Sequence, residues 1–287
     1  MMADAQLLRK IRQHSIKRNH PDGEAYTGIG TEAVKNMSLL FDIPGREIEI
    51  ISLENSIIPE RYARNMKTFS VQDQISILQS RVTVIGLGGL GGTVVEILAR
   101  AGVGTLRLID GDSFEDSNLN RQLFSCPESQ GMPKAEAAAR RVPQINPSLT
   151  VEKHALFLNE ENARDLLKDS DAAADCLDSM KTRFVLESAA KKAGIPLVSA
   201  AVAGSAGHVT TIFPEDTGLQ NIYGSAEFLE EKGAEQSQGC LAHAVFLLSS
   251  LESSEIIKIL LNKKDTLRNR LLIADLRDNT FEIMNLI

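Results

Sequence analysis

From residue 81 onward, short continuous apolar runs alternate with segments whose apolar positions recur at helical spacing. VTVIG at 82–86 is followed by a helical pattern at 92–101 and then by TLRLID at 105–110. The alternation predicts helix at 134–142, strand at 149–154, helix at 159–168, strand at 172–177, helix at 181–193 and strand at 196–200. Strands that are apolar throughout are covered on both faces, and a helix between two strands makes them parallel. The expected fold is therefore α/β, a doubly wound, mostly parallel, Rossmann-like sheet, with ligands bound beyond the carboxyl ends of its strands.

The flanks read differently. Residues 1–60 carry a basic stretch, Arg9, Lys10, Arg12, Lys17 and Arg18, and then the breaker run His20-Pro21-Asp22-Gly23. We read them as a small N-terminal helical extension with a solvated basic face, ahead of one domain at 61–287. The stretch 214–239 is polar and acidic, contains Gly218, Gly224 and Gly233, and has no period, so it reads as a long loop over the sheet edge or the site. Val245, Leu248, Leu251, Ile256 and Ile259 mark a late helix at 243–261, and RLLIADLRDNTFEIMNLI closes the chain as a β-hairpin turning at Asp278-Asn279.

Composition narrows the class. The 287 residues include 31 Lys+Arg against 38 Asp+Glu, a net charge of −7, with 43% apolar residues. Such a chain can bury a full core, and its mild acidity gives non-specific nucleic-acid binding little support. No run approaches the roughly 18 apolar residues that span a bilayer, and MMADAQLLRKIRQH lacks the apolar stretch of a signal peptide. The three cysteines, Cys126, Cys176 and Cys240, stand far apart with no C-x-x-C pair. That excludes a disulfide framework and fits a reduced, cytoplasmic setting.

The candidate chemistry starts directly after the first parallel strand, where Gly86, Gly88 and Gly91 form G-x-G-x-x-G between strand and helix. Glycines there let backbone approach a phosphate, and the helix start offers unpaired N–H groups to an anion. Asp110, ending the second strand, is placed to accept hydrogen bonds from ribose hydroxyls. NAD, FAD and ATP all fit up to this point. Arg121 and Lys134 follow beyond the ribose ligand, where a dehydrogenase needs no cations, and point to a triphosphate. Asp178, after the fourth strand, could cap a helix starting near Met180 or bind Mg²⁺ together with substrate phosphates. The company of Gly86, Asp110, Arg121 and Lys134 favours the metal.

Taken together, Arg61-Tyr62-Ala63-Arg64-Asn65, Ser80-Arg81-Val82 leading into GLGGLGG, LIDGDSFEDSNLNRQ, GMPKAEAAA, INP at 145–147 and DCLDSMKTR resemble the ThiF/MoeB/HesA family of ubiquitin-activating-type adenylyltransferases over residues 61–287. The resemblance implies an enzyme that uses MgATP to adenylate the C-terminal glycine of a ubiquitin-fold sulfur-carrier protein ending in Gly-Gly. Pyrophosphate is released, and the product is the first step to a thiocarboxylate, with thiamine synthesis the first pathway to consider and a sulfur-donor protein a further partner. By the same resemblance Gly89 lies against the nucleotide and Asp110 holds the ribose. Asn118, Arg121, Gln122 and Lys134 contact phosphates, Ser179 adjoins the nucleotide, and Asp178 ligates Mg²⁺. Arg64 would reach into a neighbouring subunit's site, so that Arg121, Lys134, Asp178 and Arg64 form the catalytic set of a homodimer with composite sites.

Departures count as well. The stretch 210–214 has no cysteine and Cys240 stands alone, so we expect no zinc; residues 214–239 contain none either, so a covalent link to the carrier is not expected. Cys240 reads as a small buried residue. His208 and His243 receive no role, because adenylating a carboxylate removes no proton. Three competing readings are a tRNA-modifying dehydratase of the same superfamily, an NAD-dependent oxidoreductase, and a non-catalytic module that keeps the pocket as a scaffold. The intact set of charged residues argues against the last.

Overall fold

An N-terminal unit precedes the main sheet. In the computed structural model, which describes residues 2–225 and 233–287, it consists of α1 (Met2–His14), β1 (Ile16–Asn19), β2 (Ala25–Ile29), α2 (Thr31–Phe41), α3 (Gly45–Glu54) and β3 (Ile57–Pro59). The strands form a three-stranded sheet in the order β1-β2-β3, antiparallel then parallel. Leu7, Ile11, Ile29, Val34, Met37, Ile48 and Ile57 make its core. The extension is thus α/β rather than helical. Its hairpin escaped the pattern because β1, Ile-Lys-Arg-Asn, is exposed along its whole length and has no apolar alternation to read.

A buried polar network fastens this unit to the rest. Glu49 of α3, fully buried, pairs with Arg61 at 3.2 Å and accepts hydrogen bonds from Tyr62 Oη at 3.1 Å and Ser148 Oγ at 2.9 Å. Asn146 Nδ2 donates to the same Tyr62 oxygen at 2.8 Å. Burial pushes the Glu49 carboxyl up despite the Arg61 charge. Around these polar groups Ile50 and Leu53 pack with Tyr62, Ile75 and Leu78.

The main unit follows the expected alternation. Its elements are α4 (Val71–Gln79), β4 (Arg81–Ile85), α5 (Gly89–Ala101), β5 (Thr105–Ile109), α6 (Lys134–Ile145), β6 (Thr150–His154), α7 (Ala163–Leu167), β7 (Ala172–Asp175) and α8 (Met180–Ala193). They continue with β8 (Leu197–Ala203), β9 (Ala206–Ile212), α9 (Gln220–Tyr223), α10 (Glu235–Gln238), α11 (Ala242–Leu260), β10 (Arg270–Asp275) and β11 (Thr280–Asn285). An eight-stranded sheet runs β11-β10-β9-β8-β7-β4-β5-β6. Strands β6, β5, β4, β7 and β8 are parallel, and β9, β10 and β11 extend the sheet antiparallel. Residues of α5, α6 and α11 cover one face, and those of α7 and α8 the other.

Several boundaries depart from the pattern for local reasons. The helix expected at 159–168 shrinks to α7 because Asn159 and Asn162 turn the chain, their side-chain oxygens accepting backbone N–H groups at 159, 161 and 162. The strand expected at 172–177 stops at Asp175, whose Oδ1 accepts the Leu177 N–H at 3.2 Å. Helix α5 starts at Gly89 rather than 92, since glycines carry no apolar period. The pattern does not predict strand β9, which forms a hairpin with β8. The 214–239 stretch contains α9 and α10, while residues 226–232 of it lie outside those described. Among the described residues no helix is long and apolar enough to cross a membrane.

Candidate functional site

The strand order reverses between β4 and β7, and a crevice at such a switch point is where ligands bind in open α/β sheets. Here a cavity of about 500 Å³ opens beyond the carboxyl ends of β4, β5 and β7. Of the residues singled out in the sequence, Gly86, Gly88, Gly89, Asp110, Arg121, Gln122, Lys134 and Asp178 line it together.

The glycine turn is built by close backbone approach. Gly86 has φ +86°, and a Cβ on it would lie 2.5 Å from the Cys176 carbonyl oxygen. Gly91 does not line the cavity; a Cβ there would lie 1.7 Å from the Gly86 carbonyl oxygen, so only glycine lets α5 begin against β4. Asp110 ties this turn to its own strand. Its Oδ2 accepts the Leu87 N–H at 2.6 Å and its Oδ1 the Asp112 N–H at 2.8 Å. Burial pushes the Asp110 carboxyl up, partly opposed by the Lys134 charge.

Two cations face the space beyond Asp110. Lys134, buried at the start of α6, pairs with Asp112 at 3.0 Å. Arg121 hydrogen-bonds the Ser117 carbonyl and Asn120 Oδ1, and no carboxylate among the described residues pairs with it. Gln122 is buried, and its Oε1 has no hydrogen-bond partner, a polar atom left for a ligand or water. Asn118 is buried outside the cavity lining. It braces the turn, its Oδ1 accepting the Glu115 N–H and its carbonyl accepting those of Arg121 and Gln122. Asn118 thus shapes the loop that presents the two side chains.

The alternative for Asp178 resolves in favour of a free carboxylate. Ser179, not Asp178, is the N-cap of α8, its Oγ accepting the Thr182 N–H at 3.4 Å. Asp178 stays exposed at the cavity wall with no hydrogen bond or ion pair among the described residues. A single hard oxygen donor beside a glycine turn could hold Mg²⁺, which takes one or two carboxylates plus substrate phosphates. Among the described residues no group of three or more His, Cys, Asp or Glu comes together to hold a metal by protein ligands alone. Arg64, just past the short turn Glu60–Tyr62, is exposed and does not line this chain's cavity.

Several further lining residues receive no role from the residue pattern. Arg183, in the DCLDSMKTR motif, is buried and donates to Asp175 Oδ2 at 3.1 Å, to Ser199 Oγ at 3.3 Å and to the Ala200 and Leu177 carbonyls. His208 of β9 bonds Tyr223 Oη at 2.7 Å, and burial with the nearby Arg183 charge lowers its pKa to about 4. Leu156, Phe157 and Leu158 form an apolar wall near Asp110. The Phe157 ring lies on Gly111, where a Cβ would come within 2.6 Å of it, and is 65% exposed. Cys240, expected to be buried, is half-buried on the cavity wall, and Cys176 also lines it, its thiol donating to Glu252 at 3.3 Å.

A glycine turn, a buried carboxylate, two cations and an exposed acid at the switch point define an α/β protein of the nucleotide-binding class. The chain belongs to the ThiF family, whose model matches residues 62–287. It is 34% identical over 225 residues to the SAMP-activating enzyme E1 of Haloferax volcanii, covering 78% of this chain and 83% of that protein. It is also 34% identical over 220 residues to the adenylyltransferase and sulfurtransferase MOCS3 of Dictyostelium discoideum, covering 75% of this chain and 52% of that one. The chain thus spans about half the length of the MOCS3 relatives. Two solved structures share the fold across 96% of the chain, hence into the N-terminal unit. They are PaaA (21% identity, TM-score 0.67, 99% of that chain) and E. coli MccB with ATP (20% identity, TM-score 0.68, 95% of that chain).

Proposed function

We propose that the protein adenylates the C-terminal carboxylate of a ubiquitin-fold sulfur-carrier protein, consuming ATP with Mg²⁺ and releasing pyrophosphate. The observation that carries this reading is the meeting of Asp110, Arg121, Lys134 and Asp178 around one glycine-turn cavity. Hydride transfer has no task for Arg121 or Asp178. The family match and the names of the Haloferax and MOCS3 relatives support the same reaction.

In the reaction a carrier carboxylate oxygen attacks the α-phosphorus, the bond from that phosphorus to the bridging oxygen breaks, and pyrophosphate leaves with the electron pair. No proton is transferred. The chain's work is to bring two anions together and stabilise the charge that builds on phosphate oxygens. Asp110 orients the ribose, the backbone of Gly86–Gly89 lets the phosphates approach, and Arg121 and Lys134 offset their charge. Ser179 fixes the start of α8 and so the neighbour of Asp178. Magnesium bound by Asp178 and the phosphates would add charge neutralisation. The Leu156–Phe157–Leu158 wall offers apolar surface for the base.

Arg64 acts in trans in this proposal, within a homodimer. Leu119, Leu123, Leu241 and Phe246 are exposed, and the Asn120 hydrogen bond to the Cys240 carbonyl brings their two segments side by side near the cavity. Burying that apolar patch against a second copy would favour dimerisation. Mixing Arg64→Ala with Arg121→Ala subunits restores one intact site and hence activity; no recovery in exchanging dimers refutes the shared site.

ATP–pyrophosphate exchange with SAMP-type and thiamine-type carriers ending in Gly-Gly, and with tRNA in parallel, tests the reading. Exchange dependent on one carrier supports it and names the pathway. Exchange with tRNA alone moves the assignment to the dehydratase. One further reading has its own observation: the fold shared with MccB, solved with ATP and with N-formylated MccA, includes the N-terminal unit that the ThiF family match leaves out. On that reading the adenylated polypeptide is of MccA type, and such a peptide belongs in the same panel.

A further inference from the structure

Arg183 lies beneath the cavity and is only 4% exposed, yet the reaction outlined above gives it nothing to do. A guanidinium kept that far from water is costly unless its donors are satisfied; Nε has no partner among the described residues, so the contacts of Nη1 and Nη2 show what it is kept for. Nη1 serves Asp175 Oδ2 at the end of β7 and Ser199 Oγ and the Ala200 carbonyl in the middle of β8. Nη2 donates to the Leu177 carbonyl. Asp175 grips the other side of the same residue, its Oδ1 accepting the Leu177 N–H at 3.2 Å, and Ser199 Oγ donates to Asp175 Oδ2 at 2.7 Å. Both backbone groups of Leu177 are therefore held by the buried pair, and the next residue is Asp178. Beyond it, the Ser179 cap on α8 fixes the chain again. Asp178 itself has no side-chain partner among the described residues, so its placement comes from this two-sided clamp on its neighbours.

We propose that Arg183 is a positioning residue: with Asp175 it clamps Leu177 and so holds the Asp178 carboxylate where the divalent cation of the metal–ATP complex is received. The proposal rests on the adenylation reading, in which Asp178 meets the metal. Lysine cannot replace the arginine in this role. A planar fork reaches four acceptors on three segments, whereas an ammonium is a compact point charge with three donors.

The test is calorimetric binding of ATP to the full chain, with saturating Mg²⁺ and with EDTA. In the wild type Mg²⁺ tightens ATP binding, and Asp178→Asn loses that gain. Arg183→Lys, which keeps a cation beside Asp175, is expected to reduce the Mg²⁺-dependent gain about tenfold, as loss of groups that orient a metal ligand does. Metal-free affinity should stay within about twofold, and Arg183→Lys should change nothing further in the Asp178→Asn background, because neighbours acting through one another are non-additive. Ser199→Ala, a milder loosening of the clamp, should shift the gain in the same direction by less and serves if the lysine variant does not fold. Equal weakening with and without Mg²⁺, or an undiminished Arg183→Lys effect on Asp178→Asn, means a merely structural arginine and overturns the proposal. An unchanged gain in both Arg183→Lys and Ser199→Ala overturns it too. A wild type that binds ATP no tighter with Mg²⁺ overturns the metal role of Asp178 first and this inference with it.

Discussion

Protonating His208 should destabilise the folded protein. In an unfolded chain the imidazole titrates near its ordinary value of about 6.5. In the fold, burial and the Arg183 charge bring it down to about 4. Between those values the unfolded chain holds a proton that the folded one does not, so stability falls as pH falls. At about 1.4 kcal/mol per pKa unit the full difference is roughly 3–4 kcal/mol, of which about 2 kcal/mol is already lost between roughly pH 7.5 and pH 5. The assay is urea denaturation at both pH values for the wild type and His208→Gln, whose amide can still bond Tyr223 but does not titrate. Buried acids such as Glu49 and Asp110, with raised values, shift stability the other way, and they do so in both proteins. The wild type should lose about 2 kcal/mol more than the variant over this interval. Equal losses would refute the argument that His208 is neutral at the cavity wall.

Three further outcomes follow from the geometry. Tyr62→Phe removes the hydroxyl shared by Glu49 and Asn146 and should lower stability by about 1–3 kcal/mol in a melt, since both are buried and left short of a partner; no change would mean the network does not couple the two units. Gly91→Ala drives a Cβ to 1.7 Å from the Gly86 carbonyl oxygen and should abolish ATP binding in calorimetry even where the protein still folds; wild-type affinity would exclude the glycine turn as the phosphate site. Phe157→Ala should weaken ATP about tenfold while leaving inorganic triphosphate binding unchanged, as loss of a base-stacking ring does. Equal weakening of both ligands would place the ring against phosphate-side structure instead.

Much of the fold and site could be read from residue pattern because the relevant constraints are local. The near-continuous apolar runs VTVIG and TLRLID, which lack alternation, report burial on both faces, and that burial is what makes a parallel, helix-covered sheet. Gly86 and Gly91 stand where a side chain does not fit, and their strand-to-helix setting is enough to place the turn. Asp110, Arg121, Lys134 and Asp178 followed from their positions relative to strand ends. The β9 strand gave no such signal. It turns back on β8 across Gly204-Ser205 and pairs on its other side with β10, some sixty residues later; that second, long-range partnership is what local alternation does not encode.

What residue order alone established was therefore the sheet class, the glycine turn and the charged set around it, since each is dictated by near neighbours along the chain. Side-chain geometry, which residue order does not report, settled the rest. Ser179 rather than Asp178 caps α8, Asn118 braces a loop instead of lining the cavity, and Arg183 closes over Leu177 from beneath. The N-terminal unit is an α/β body bound through Glu49, Arg61, Tyr62 and Asn146, because a buried carboxylate is tolerated only where partners from remote parts of the chain converge on it.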